Sequence, residues 1–247
     1  MCCSFNVEPT LHAVHFVYCR CIDGYSRRIM WLKCSYTNHS PGLIAGYYMD
    51  SVGQVGGCPA KVRTDCGTEN VVLAAIQSTI VGRGAHVYGT SPSNQRIESW
   101  WSFFRRNHSQ AWIDVFENMI QQGTFQPGHL QQTECIRYCF MSLLQRDLDA
   151  VQLQWNTHRI RPTRGARCPA GIPDELYFLP PAGAQDCLHR CAPTLPAQLQ
   201  DRIEQPRLCE DESLRAYFDY VCTFHGFQQP QTTHDAVTLY TNLVRCI

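Results

Sequence analysis

Asp65 and Glu98 are the residues whose types and spacing point most directly to chemistry. Asp65 closes a short alternating segment, Lys61-Val-Arg-Thr-Asp65, at the point where a strand would end. Glu98 follows 33 positions later in Ser93-Asn-Gln-Arg-Ile-Glu-Ser-Trp-Trp101, a stretch with helical spacing. Two carboxylates on rigid elements suit a hard divalent cation and, through it, phosphoryl chemistry. A helical glutamate is just as readily a solvated surface residue, so its neighbours must decide. A second group is cationic: Arg159, Arg161, Arg164 and Arg167 sit in an extended segment broken by Pro162 and Gly165. Such a loop can follow a phosphate backbone or simply be solvated surface; both readings stay open.

The elements that would position these groups are legible from periodicity and turn chemistry. Residues 15–22 and 28–33 read as strands joined at Asp23-Gly24, a strong hairpin signal. Ser40-Pro41 opens an amphipathic helix over 43–55, and Gly56-Gly57 closes it. A strand at 61–64 follows, then a helix at 71–80 and a brief strand at 86–88. Ser91-Pro92 starts a helix over 92–107, with Ile97, Trp100, Trp101 and Phe104 on its apolar face. Glu98, Ser102 and Arg105 form a neighbouring stripe. A long helix spans 134–155. Residues 181–210, rich in Pro, Ala and Gln, read as a linker, and 211–227 and 233–247 as two further helices. There are no internal repeats.

Composition narrows the classes. The chain has 247 residues, enough for one domain and a small extra unit, and no apolar run long enough to span a membrane. Fifteen cysteines, odd in number and scattered behind an N-terminus unlike a signal peptide, read as reduced intracellular thiols. Cys19-x-Cys21 and Cys187-Leu-His189-Arg-Cys191 come nearest to zinc spacing, but neither has a second half. Net charge is zero, yet residues 1–167 hold 16 basic against 11 acidic side chains and residues 168–247 hold 5 against 10. Nineteen of the 21 basic residues are arginine, whose planar fork suits phosphate oxygens.

Four segments, in order, carry a family likeness: Cys21-Ile-Asp-Gly-Tyr-Ser-Arg-Arg-Ile-Met-Trp-Leu-Lys33, Lys61-Val-Arg-Thr-Asp-Cys-Gly-Thr-Glu-Asn70, Ser93 to Trp101, and Trp155 to Leu179. They resemble the integrase core of retroviral integrases and DDE transposases, nearest to transposon-derived integrase-core proteins of animal genomes. The resemblance implies an α/β, RNase H-like fold, a mixed sheet flanked by helices. It also implies three carboxylates binding Mg²⁺ or Mn²⁺, a DNA partner, homo-oligomers and a nuclear location. On this reading residues 1–180 form the catalytic core, 181–210 the linker and 211–247 a small helical appendage.

Asp65 matches the family's second acid and Glu98 its third. The first acid belongs on the first strand, and counting back from the hairpin leads near Asn6, where the motif is degenerate or truncated. An amide offers a metal one neutral oxygen in place of a carboxylate. The expectation is a domesticated pseudoenzyme that binds DNA through Arg105, Arg159, Arg161, Arg164 and Arg167. Asp23 is a candidate substitute ligand, expected across the hairpin from Asn6. The alternatives are a non-enzymatic interaction module using the acidic C-terminal helices, or an RNase H-type nuclease.

Overall fold

The hairpin forms where Asp23-Gly24 places it. The structure, a computed structural model, describes residues 2–6, 14, 16–89, 104, 108–162, 164, 168–190 and 197–247. Its strands in chain order begin with Cys2–Asn6 (β1), Val17–Ile22 (β2) and Ile29–Ser35 (β3). Helix Pro41–Val55 (α1) follows, capped by the Ser40 hydroxyl and ended by Gly56 at φ 74°. Such a left-handed C-cap costs glycine nothing. Then come Cys58–Pro59 (β4), Val62–Thr64 (β5), a 3₁₀ turn at Thr68–Asn70, helix Val71–Val81 (α2) and His86–Tyr88 (β6).

Among the described residues, five strands make one mixed sheet in the order β3-β2-β1-β5-β6. The first three run antiparallel, while β1/β5 and β5/β6 are parallel. This is the α/β, RNase H-like arrangement the sequence leads one to expect. Alternating side chains feed two layers. Cys19 and Cys21 face α1 and α2, while Phe16 and Tyr18 face a helical layer on the other side. That layer holds Gln110–Gln121 (α3) and the 28-residue Leu130–Thr157 (α4). Residues 108–133 carry no assignment from motifs, yet Trp112, Ile113, Phe116 and Met119 show helical spacing and are buried.

Among the described residues β3 is a sheet edge, and a bare edge is a template for unwanted pairing. Here α4 covers it with side-chain amides. Gln145 Oε1 accepts from Cys34 N (3.0 Å), and its Nε2 donates to Leu32 O (3.0 Å). Gln152 Nε2 donates to Ile29 O at 3.2 Å. Asn156 Oδ1 accepts from Ile29 N (2.8 Å) while its Nδ2 donates to Ile29 O (3.0 Å). Offsets of seven and four put all three on one helix face, where each carboxamide stands in for a peptide group of a further strand.

Beyond helix Pro173–Phe178 (α5), residues 181–210 do more than connect. Leu188–His189 (β7) pairs with β4, and a short helix, Ala197–Gln200 (α6), leads into a crossing over α1. Gly42 and Gly46 permit that crossing: a Cβ on Gly46 would stand 2.4 Å from Glu204 O. Leu199 and Ile203 pack on the α1/α2 layer, and Ser40 Oγ donates to Glu204 Oε2 at 2.8 Å. The segment is therefore a strap.

The last two helices, Glu212–His225 (α7) and Thr233–Val244 (α8), lie on α4. Phe218, Leu239, Tyr240 and Leu243 share a core with Cys135, Ile136 and Tyr138 of α4, each such burial being worth about 1.5–3 kcal/mol. A buried ion pair pins the junction. Glu134 is bonded to Arg137, and its Oε2 accepts from Glu210 N (2.8 Å) and Asp211 N (3.2 Å). Arg137 also reaches Glu210 Oε2 at 3.0 Å and lies over the Tyr36 ring. Among the described residues no helix is long and apolar enough to cross a membrane.

Candidate functional site

The sheet register sets the site. Cys2 on β1 pairs with Arg63 on β5, and the two strands run parallel. Both chains therefore leave the sheet in the same direction, β1 at Asn6 and β5 at Thr64, just before Asp65. Strand spacing and rise place the Cα atoms of Asn6 and Asp65 about 8 Å apart. Two ligands of a shared metal site need such neighbourhood.

Asp65 is half-buried, and its surroundings come from the residues just after it. The chain bends at Cys66, Gly67 stays extended, the 3₁₀ turn follows, and α2 starts at once. Asn70 is completely buried; its Nδ2 donates to Asp65 Oδ1 (2.9 Å) and to Glu69 Oε1 (3.0 Å). The Glu69 side chain folds back over Gly67, where a Cβ would lie 1.8 Å from Glu69 Oε1. A side chain at position 67 would push the Glu69 carboxylate out of this position. Thr64 Oγ1 donates to Asp65 O at 3.0 Å, so its contact with His86 Nε2 at 3.1 Å requires the ring to donate. Burial lowers the pKa of His86, which favours the neutral ring with its proton on Nε2.

Asp23 does not join this site. Its Oδ2 accepts from Tyr25 N, Ser26 N and Ser26 Oγ, which commits the carboxylate to the turn. Register gives the second reason: Asn6 pairs with Tyr18, whereas Ile22, next to Asp23, pairs with Cys2. Asp23 thus lies about 17 Å along the strands from Asn6, and on the order of 14 Å from Asp65. The expectation that it faces Asn6 across the hairpin is corrected.

Glu98, Arg105 and Arg167 lie outside the described residues. Phe104, six positions after Glu98, is helical and buried, and its ring meets Tyr18 edge-on at 5.4 Å. Since Tyr18 is the register partner of Asn6, Phe104 sits over the strand beside the Asn6 end of the sheet. Arg159, Arg161 and Arg164 are exposed beyond the end of α4. Their loop is pinned by the Ile160–Gly171 bridge and braced on the hairpin by Trp155 Nε1 to Arg27 O (2.8 Å) and by the Arg28–Asp174 ion pair (2.7 Å). They stand at the Asp23 end, away from Asp65.

The donors around Asp65 suit a hard cation. Asp65 and Glu69 offer carboxylate oxygens, which fit Mg²⁺ or Mn²⁺ as two of its ligands. Among the described residues no group of three or more His, Cys, Asp or Glu could hold a metal, so the two make a pair rather than a complete shell. Cys19 and Cys21, weighed for zinc, are buried sheet residues, and Cys19 Sγ accepts from Trp31 Nε1 at 3.3 Å. Sequence reasoning passed over Glu69 and Asn70, although an acid four residues after Asp65 was visible in Asp-Cys-Gly-Thr-Glu-Asn.

A family model for the integrase core domain matches residues 6–177. The chain belongs to the integrase core family. No curated protein and no solved structure matches it. The matched span of this integrase core takes in Asn6, Asp65 and the arginine loop, and stops in α5. The strap and the α7/α8 pair lie beyond it.

Proposed function

We propose that this integrase-core protein binds DNA and that its metal-dependent strand chemistry is impaired. One observation carries the reading: an amide, Asn6, ends the strand parallel to and beside the one that delivers Asp65. A bound Mg²⁺ or Mn²⁺ supplies Lewis acidity for in-line displacement at phosphorus. Asp65, with Glu98 as the third family acid, would hold it; the residue that ends β1 is an asparagine, a neutral amide where the family has an anion to balance the cation's charge. Asp65→Asn is then expected to change little in a nicking assay, because wild type already works near background.

DNA is the partner in this reading, a nuclear location accords with that role, and homo-oligomers accord with the family likeness. Arg159, Arg161 and Arg164 support backbone contacts, distant from the metal residues, with Arg105 and Arg167 as further contacts. Duplex binding followed by fluorescence anisotropy should weaken steeply with salt. The Arg159→Ala/Arg161→Ala/Arg164→Ala variant should flatten the log–log slope by up to about three. Absent or salt-independent binding would favour a protein-interaction module instead. The exposed Tyr220 and Phe224 on α7, 64% and 71% accessible, speak for that second reading. Cleavage of RNA–DNA hybrids in preference to duplex DNA would point to the RNase H-type alternative.

A further inference from the structure

We infer that Asn70 is a positioning residue, whose side-chain amide holds the Asp65 and Glu69 carboxylates together as a two-ligand face for a divalent cation. The inference rests on the metal reading above and deepens it. The observations are geometric. Asn70 has no exposed surface, and both hydrogens of its NH₂ group are spent on carboxylates, at 2.9 Å on Asp65 Oδ1 and 3.0 Å on Glu69 Oε1. Two acceptors sharing one trigonal NH₂ at these distances stand about 5 Å apart. Anions that close repel, and the bridging amide offers them only a dipole. A cation is the natural third party.

Two further features mark the arrangement as costly to keep for packing alone. Asn70 Oδ1 is buried without a hydrogen-bond partner among the described residues, and an orphaned acceptor of this kind asks for a reason. Turning the amide over would offer its oxygen to two anions, so the carboxylates fix its orientation and leave Oδ1 unsatisfied. Gly67 is the other feature. Any side chain there would displace the Glu69 carboxylate from its fold-back position. Glu69 makes the second carboxylate beside Asp65 at a site whose first-acid position holds Asn6.

The test measures Mn²⁺ binding to the full chain by electron paramagnetic resonance of free Mn²⁺, with folding followed by circular dichroism. Wild type should bind, and Asp65→Asn should lose binding. Asn70→Leu, which keeps the volume and removes both donors, should bind roughly tenfold to a hundredfold more weakly, with its melting temperature unlowered because the orphaned oxygen has gone too. A purely structural Asn70 would give the reverse: a lower melting temperature and unchanged affinity of the folded protein. Should Asn70→Leu fail to fold, the wild-type side-chain NH₂ resonances of Asn70 decide, and they should shift on Mg²⁺ addition along with Asp65 and Glu69. Unshifted resonances, or an Asn70→Leu affinity equal to wild type, overturn the inference while leaving the metal reading intact. Wild-type protein that binds no Mn²⁺ at all overturns both.

Discussion

Replacing Asn156 by leucine removes the best-formed rung of the amide ladder along β3. Asn156 is 3% exposed and exchanges two hydrogen bonds with the Ile29 peptide. Leucine fills nearly the same space, so no cavity complicates the comparison. Ile29 O keeps a partner in Gln152, but Ile29 N is left buried with none from α4. Losing the net worth of two bonds, about 0.5–1.5 kcal/mol each, and stranding a buried donor at about 1–3 kcal/mol gives a loss of roughly 2–4 kcal/mol once the overlap is counted. For a chain of this size that lowers the melting temperature by roughly 5–15 °C. Urea unfolding should show a lower midpoint with an unchanged slope. Gln152→Leu, which removes only a shared donor, should cost about 1 kcal/mol. An Asn156→Leu protein within about 0.5 kcal/mol of wild type, or more stable than Gln152→Leu, would refute the idea that these amides close the sheet edge.

Three other perturbations probe separate parts of the structure. Glu134→Gln leaves Arg137 buried opposite a neutral group, with only the largely exposed Glu210 to balance it; a destabilisation of about 3 kcal/mol is expected by chemical denaturation. Gly46→Ala would ordinarily stabilise a helix by about 1 kcal/mol. Here its Cβ meets Glu204 O at 2.4 Å, so a loss of about 1–3 kcal/mol is expected, and a gain in melting temperature would mean the strap does not cross there. Burial lowers the pKa of His108, outweighing the nearby Asp147, as it lowers that of His86. The unfolded chain therefore binds more protons than the folded one below the ordinary value of 6.5. Stability contributed by neutral imidazole is complete above that value and declines as pH falls. Melting temperatures between pH 7.5 and 5 should fall, and His86→Gln with His108→Gln should flatten the decline.

What the sequence revealed and what it hid follow from the range of the interactions. The hairpin and α1 are written in local chemistry, an Asx turn at Asp23 and a Ser40 cap with a left-handed Gly56, and both are legible without tertiary contacts. The strand β1 is not: five residues with two cysteines carry little pattern, and the strand exists through pairing with β2 and β5. Without that register Asp23 looked like a neighbour of Asn6, which it is not. Pro, Ala and Gln read as a mere connection over 181–210, yet Leu188–His189 pairs with β4 and Ala197–Gln200 is helical. Composition cannot say that Gly42 and Gly46 hold a groove for it. Glu134 resembles any acid near a helix start until Arg137 and the 210–211 backbone close over it. Asp65 stands out as a candidate because a strand end and an acidic loop are local signals, whereas the Asn70 amide bonded to it is visible only in the fold.

Divalent-metal-dependent nicking of duplex DNA, measured side by side for wild type, Asn6→Asp and Asp65→Asn, tests the proposed impairment most directly. Wild type and Asp65→Asn should both sit at background, and Asn6→Asp should rise at least about tenfold, a barrier change of about 1.4 kcal/mol. Wild-type activity equal to that of Asn6→Asp, and abolished by Asp65→Asn, would contradict the proposal that the amide on β1 silences the site.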